Sequence, residues 1–114
     1  METTPITIKA RTEQNIEILK LTGILGADNV DQLKQYLNKI LKNRTSLAVF
    51  DLENLEEIDS SGIGAIINFV KQMRRKNKDV KIYKIQGTVK KIFELLRIDK
   101  NIAIINEWEK ILSI

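Results

Sequence analysis

The hydrophobic period of this chain changes repeatedly along its length, and that change constrains the fold more than any other feature. Short stretches with the rhythm of a β-strand alternate with longer ones whose apolar residues fall three and four apart, as on one face of a helix. Ile6-Thr7-Ile8-Lys9-Ala10 alternates apolar with polar residues, the pattern of a half-buried strand. Arg11 to Gln14 is polar and turn-like, and Asn15 to Leu21 resumes as a second strand, so a hairpin is expected. Gly23 and Gly26 punctuate the chain. Beyond Asp28 or Asn29, either of which can cap, Val30, Leu33, Leu37, Ile40 and Leu41 recur at helical spacing.

Leu47-Ala48-Val49-Phe50 is a continuous apolar run, typical of a strand covered on both faces. A polar loop from Leu52 to Asp59 then leads to a helix in which Ile63, Ile66, Ile67, Val70 and Met73 form an apolar stripe. Val80 to Ile85 is expected as a strand. Val89 to Leu96 is expected as a short helix burying Val89, Ile92, Phe93 and Leu96. Ile102 to Ile105 closes as a strand and Glu107 to Leu112 as a helix. The order ββαβαβαβα implies an α/β fold: a mixed sheet of about four to five strands with an N-terminal hairpin and about four helices. The 114 residues fit one domain, expected to span 1–114. In open sheets of this kind sites lie beyond the carboxyl ends of the strands, and the loop after Phe50 carries Ser60 to such a place.

Composition narrows the chemistry. There is no histidine and no cysteine, which removes the Ser–His triad, the cysteine nucleophile, disulfides and a typical zinc site. Enzymatic function is therefore not expected, and neither a cofactor nor a metal is implied. A hydrophobic fraction of 43% supplies a core, but aromatics are only 5%, so that core must be aliphatic. The net charge of +4 is a mild excess, too diffuse to mark a nucleic-acid binder by itself. Met1-Glu2-Thr3-Thr4-Pro5 lacks a basic start followed by an apolar run, and no stretch approaches the ~20 apolar residues needed to span a membrane. A cytoplasmic protein without membrane insertion is expected.

Asp59-Ser60-Ser61-Gly62 opens the second helix, where several backbone N–H groups lack partners. One reading is structural: Asp59 or Ser60 is an N-cap, stabilising the helix by about 1 kcal/mol. The other is functional. Ser, Ser and Gly leave the turn uncluttered enough for a backbone or phosphate to approach, and capping needs one such residue rather than four.

Ile58-Asp59-Ser60-Ser61-Gly62-Ile63-Gly64 resembles the signature of STAS-domain anti-sigma factor antagonists. Leu21-Thr22-Gly23-Ile24-Leu25 is similar to that family's Leu-x-Gly-x-Leu strand end, and Val89 to Leu96 to its Val-x-x-x-hydrophobic helix. The resemblance runs over nearly the whole chain. It implies that Ser60, directly after the aspartate, is phosphorylated by a partner that is both anti-sigma factor and serine kinase, an ATPase of histidine-kinase-like fold. It also implies that the unphosphorylated form binds this partner and frees a sigma factor, that phosphorylation breaks the complex, and that a serine phosphatase restores it. Asp59, Ser61, Gly62, Ile63 and Asp28 would surround the phosphosite. Many members carry an aspartate after Leu-x-Gly-x-Leu that helps form this site; here the position is Gly26, with Asp28 two residues on as candidate substitute or cap. The Leu-Leu-Gly of many members is Leu95-Leu96-Arg97. The wider family also implies an alternative, an unphosphorylated STAS subunit of a transporter or signalling complex.

Three other features have a structural and a functional reading. The basic cluster from Lys71 to Lys81 is either a solvated helix end, whose cations complement the dipole, or a nucleic-acid footprint without aromatics for base stacking. The acidic segment Glu53 to Asp59 lacks the spacing of a calcium loop, and its Leu55 and Ile58 are expected to pack inward. Trp108, with Ile111 and Leu112, is expected to anchor a core or an edge.

Overall fold

A computed structural model describes residues 4–112. β1 (Ile6–Glu13) and β2 (Ile16–Leu25) form the expected antiparallel hairpin, with full pairing from Ile6↔Gly23 to Glu13↔Ile16. The strands run further than their apolar residues suggested. Arg11, Thr12 and Glu13 stay in the ladder as an exposed ribbon, and the turn is only Gln14-Asn15, with Gln14 left-handed at φ 54°.

Helix α1 (Val30–Lys42) buries Val30, Leu33, Leu37 and Ile40. β3 (Leu47–Leu52) follows as the buried strand expected from its unbroken apolar run. The segment read as a loop contains a further strand, β4 (Leu55–Ile58). Then come α2 (Ser60–Arg75), β5 (Asp79–Ile85) and α3 (Gly87–Leu95). A 3-10 turn (Ile98–Lys100), β6 (Ala103–Ile105) and a second 3-10 turn (Trp108–Lys110) complete the chain, so the expected closing helix is a single turn. The described residues hold six strands and three α-helices, against the four to five strands and four helices expected.

The sheet is mixed, as expected. It runs β1-β2-β3-β5-β6, antiparallel only between β1 and β2, while β4 pairs in parallel with the end of β2. One face carries the main core, where Leu19, Leu21, Phe50, Leu52 and Ile82 meet the apolar stripes of all three helices. Phe50 and Phe69 pack edge to face at 5.8 Å. On the opposite face Ile16, Ile18, Leu47 and Val49 lie under Ile111, with Tyr83, Ile105 and Trp108 beside them. Trp108 is the expected edge anchor: its ring stands edge-on to Tyr83 at 5.2 Å and beneath the Arg11 guanidinium at 5.6 Å. Leu96 departs from expectation. Helix α3 ends one residue earlier, and the Leu96 side chain is 54% exposed.

Much of the basic cluster works inside the fold. Lys76 Nζ donates to the Leu41 carbonyl at 2.7 Å and Lys78 Nζ to that of Asn43 at 2.8 Å, placing cations at the carbonyl-rich end of α1. Arg74 donates to the Asn101 carbonyl and lies 3.7 Å from Asp79.

Candidate functional site at the start of α2

The register of two parallel strands builds the site. Leu25, the last residue of β2, pairs with Ile58, the last of β4. The next residues, Gly26 and Asp59, therefore leave the sheet side by side at its carboxyl edge. Asp59 caps α2: its Oδ1 accepts from the Ser61 and Gly62 N–H groups at 2.9 and 3.1 Å. Its Oδ2 accepts from the Ala27 N–H at 3.0 Å, so one carboxylate fastens the β2–α1 loop to the start of α2. Those N–H groups, Gly62 first and Ala27 next, hold the Asp59 carboxyl below its ordinary value despite the opposing charge of Asp28.

Gly26 lies directly against the same carboxylate. A Cβ at this position would meet Asp59 Oδ2 at 2.8 Å, so an aspartate here would collide with the cap as it stands. Asp28 lies on the same rim, exposed, and its Oδ2 accepts from the Thr4 N–H at 2.6 Å. Hydrogen bonds from Thr4, side chain first and then backbone, lower the Asp28 carboxyl. Asp28 and Asp59 thus place two anionic groups around the helix start, and Asp28 is not the cap of α1.

Ser60 is exposed as the first residue of α2, while Ser61 is half-buried. Gly62 is buried because α2 starts directly on the sheet: a Cβ there would meet Ile58 Cγ1 at 2.8 Å and Leu25 Cγ at 2.9 Å. Ile63, half-buried, packs on the main core and fixes the first turn. Ser60 and the residues expected around it, Asp28, Asp59, Ser61, Gly62 and Ile63, therefore lie together at this end of the sheet. Ser61 and Gly62 already donate to Asp59, so the turn has fewer open N–H groups for an anion than a bare helix start would have.

Two further residues hold the site in ways that side-chain type did not indicate. Ala27 acts through its backbone. Asn29, one of the two residues expected to cap α1, does stand at its N-cap position, but its side chain makes no capping hydrogen bond and is instead a buried bolt, 1% exposed. Its Oδ1 accepts from the Gly26 N–H at 2.9 Å, and its Nδ2 donates to the carbonyls of Ile24 at 2.7 Å and Thr4 at 2.9 Å.

Fold and site together define a small α/β domain that presents an exposed serine at a helix start, beyond the carboxyl ends of parallel strands. The chain belongs to the STAS domain family, whose model matches residues 7–111. An anti-sigma-B factor antagonist of Staphylococcus aureus (strain NCTC 8325) is 23% identical over 106 residues, covering 93% of this chain and 97% of that protein. An anti-sigma factor antagonist from Mycobacterium paratuberculosis superposes with a TM-score of 0.85 at 15% identity, over 96% of this chain and 92% of the other. The Bacillus cell fate determinant SpoIIAA, an anti-sigma factor antagonist, matches in two forms. The unphosphorylated form gives a TM-score of 0.80 at 18% identity, covering 92% of this chain and 93% of the other. The phosphorylated form gives 0.74 at 17%, covering 92% and 96%.

Proposed function

We propose that this protein is an anti-sigma factor antagonist, switched by phosphorylation of Ser60. In this reading the unphosphorylated form binds an anti-sigma factor that is also a serine kinase, an ATPase of histidine-kinase-like fold, and so releases a sigma factor in the cytoplasm. A serine phosphatase reverses the modification. The observation that carries the reading is the exposed Ser60 side chain at the first position of α2, directly after a cap tied to both strand ends. The relative that is known both with and without phosphate supports it.

The electrostatics of the rim explain why a phosphate would act on binding rather than on the fold. A phosphoryl group adds a charge of about −1.5 to −2 at pH 7. At Ser60 it would sit at the positive end of the α2 dipole but beside the Asp59 and Asp28 carboxylates, with two first-turn N–H groups already engaged. In water the free domain tolerates such a surface charge. Against a docked partner the dianion must be desolvated, at a cost on the order of 2–5 kcal/mol, or roughly 30- to several-thousand-fold in affinity.

The test is binding of the cognate kinase to Ser60→Ala and Ser60→Asp, with intact mass measured after incubation with ATP. Ser60→Ala should bind like wild type and gain no phosphate; Ser60→Asp should fold normally and lose binding. Equal binding by both variants would remove the switch. A wild-type protein that binds a partner but never gains the mass of one phosphate would instead be an unphosphorylated STAS subunit.

A further inference from the structure

Between the C-terminal half of α2 and the segment after α3 lies a cavity of about 340 Å³. Its apolar walls are Ile67, Val70, Leu96, Ile98 and Ile102, and Lys71 and Arg74 line it too. Leu96, which lines it, is 54% exposed, and its chain neighbour Leu95 is 81% exposed, so two consecutive leucines face solvent at the end of α3. Arg97 follows in the left-handed conformation (φ 59°, ψ 26°) that glycine adopts at lower cost. A long cation therefore stands where the backbone favours no side chain, in the chain between the groove-lining Leu96 and Ile98.

The charge of the groove selects its occupant. Arg74 is partly neutralised by Asp79 at 3.7 Å, whereas Lys71 and Arg97 have no ion-pair partner within 4 Å among the described residues. Apolar walls beside the unpaired Lys71, with Arg97 placed in the chain between the lining residues Leu96 and Ile98, fit apolar side chains flanked by carboxylates, the helix-in-groove mode of recognition. Lys71 is eleven residues along α2 from Ser60, about 16 Å at 1.5 Å per residue. Beyond one Debye length in physiological salt, a phosphate at Ser60 is largely screened from this groove.

We propose that this groove is a second docking surface, which binds an acidic amphipathic helical segment of a partner protein and is indifferent to the state of Ser60. The proposal does not depend on the Ser60 reading. The experiment titrates the isotope-labelled full chain with a synthetic peptide carrying Leu at i, i+3, i+4 and i+7 and Glu at the flanking positions. A twin peptide with Lys for Glu and vesicles of phosphatidylglycerol serve as the other arms. The Glu peptide should shift the amides of Ile67, Val70, Lys71, Ile98 and Ile102. Its affinity should fall roughly tenfold or more in Leu96→Ser and in Arg97→Gly, surface changes that leave the core intact, and should be unchanged in Ser60→Asp. Equal binding of the two peptides, shifts elsewhere, no shift at all, or a response to the vesicles alone would each overturn it.

Discussion

At Gly26 the missing side chain and the Asp59 carboxylate are one fact, because the carboxylate oxygen occupies the space a Cβ would need. Gly26→Ala should therefore push Oδ2 off the Ala27 N–H and destabilise the protein by about 0.5–1.5 kcal/mol, the worth of one such hydrogen bond, seen as a fall of roughly 4 °C in midpoint per kcal/mol by calorimetry. The same carboxylate gives an acid-sensitive contact. Asp59 and Asp28 both titrate below their ordinary 3.8 in the folded state, Asp59 chiefly through the Gly62 N–H and Asp28 chiefly through Thr4. A depressed folded pKa contributes stability above the unfolded value and loses it as pH falls through the folded one. Urea midpoints should thus be flat from neutrality to about pH 5 and decline below about pH 4, with a shallower acid limb in Asp59→Asn. Arg97 is the opposite case, a side chain where glycine suits the backbone. Arg97→Gly should raise stability by about 0.5–1 kcal/mol in urea titration, the left-handed cost relieved less the entropy glycine adds to the unfolded chain, while weakening the acidic-peptide contact.

The helices were legible because the stripe of α2 and that of α1 keep one period throughout, and Leu47 to Phe50 kept the plain pattern of a buried strand. β4 was not, for a physical reason. Its buried residues, Leu55 and Ile58, are three apart because the ladder with β2 shifts register between Gly23 and Ile24, skipping Glu56, so the two-residue rhythm of a strand is broken. A similar shift in β5 leaves Lys84 left-handed at φ 55°, 3.4 Å from Glu53. The site was half legible: Asp59 to Ile63 could be read from side-chain types, but the Ala27 contact and the Asn29 bolt depend on strand ends brought together from distant sequence. The two glycines of α2 test this picture of the helix start. Gly64 is exposed, with nothing within 4 Å of an added Cβ, so Gly64→Ala should stabilise by about 0.5–1 kcal/mol through helix propensity alone. Gly62→Ala has the same propensity gain but drives a methyl into Ile58 and Leu25, and should be net destabilising by about 1–2 kcal/mol. Thermal denaturation of the pair should therefore move in opposite directions; a parallel shift would mean that α2 does not start tight against the sheet.

The molecule as a whole is asymmetric about its sheet, and this separates its stability from its proposed signalling. The three helices cover one face and carry Ser60 at their carboxyl-edge end, while the other face depends on the last described residues. There Ile111, 1% exposed, closes over Ile16, Ile18, Leu47 and Val49, and its carbonyl accepts a hydrogen bond from Lys81 Nζ. Truncating Ile111 to Ala removes the side chain that closes this second core and leaves a gap over the strands beneath it. The loss should be about 2–5 kcal/mol, read as a lower urea midpoint. Because the helix face is built from different side chains of the same strands, the cap at Asp59 should persist in the folded fraction. Amide shifts of Ala27, Ser61 and Gly62 should accordingly stay at wild-type values in Ile111→Ala, while those of Val49 and Tyr83 move. A coupled shift of both sets would mean that the sheet transmits packing from one face to the other, and that the serine end is not energetically independent of the C-terminal turn.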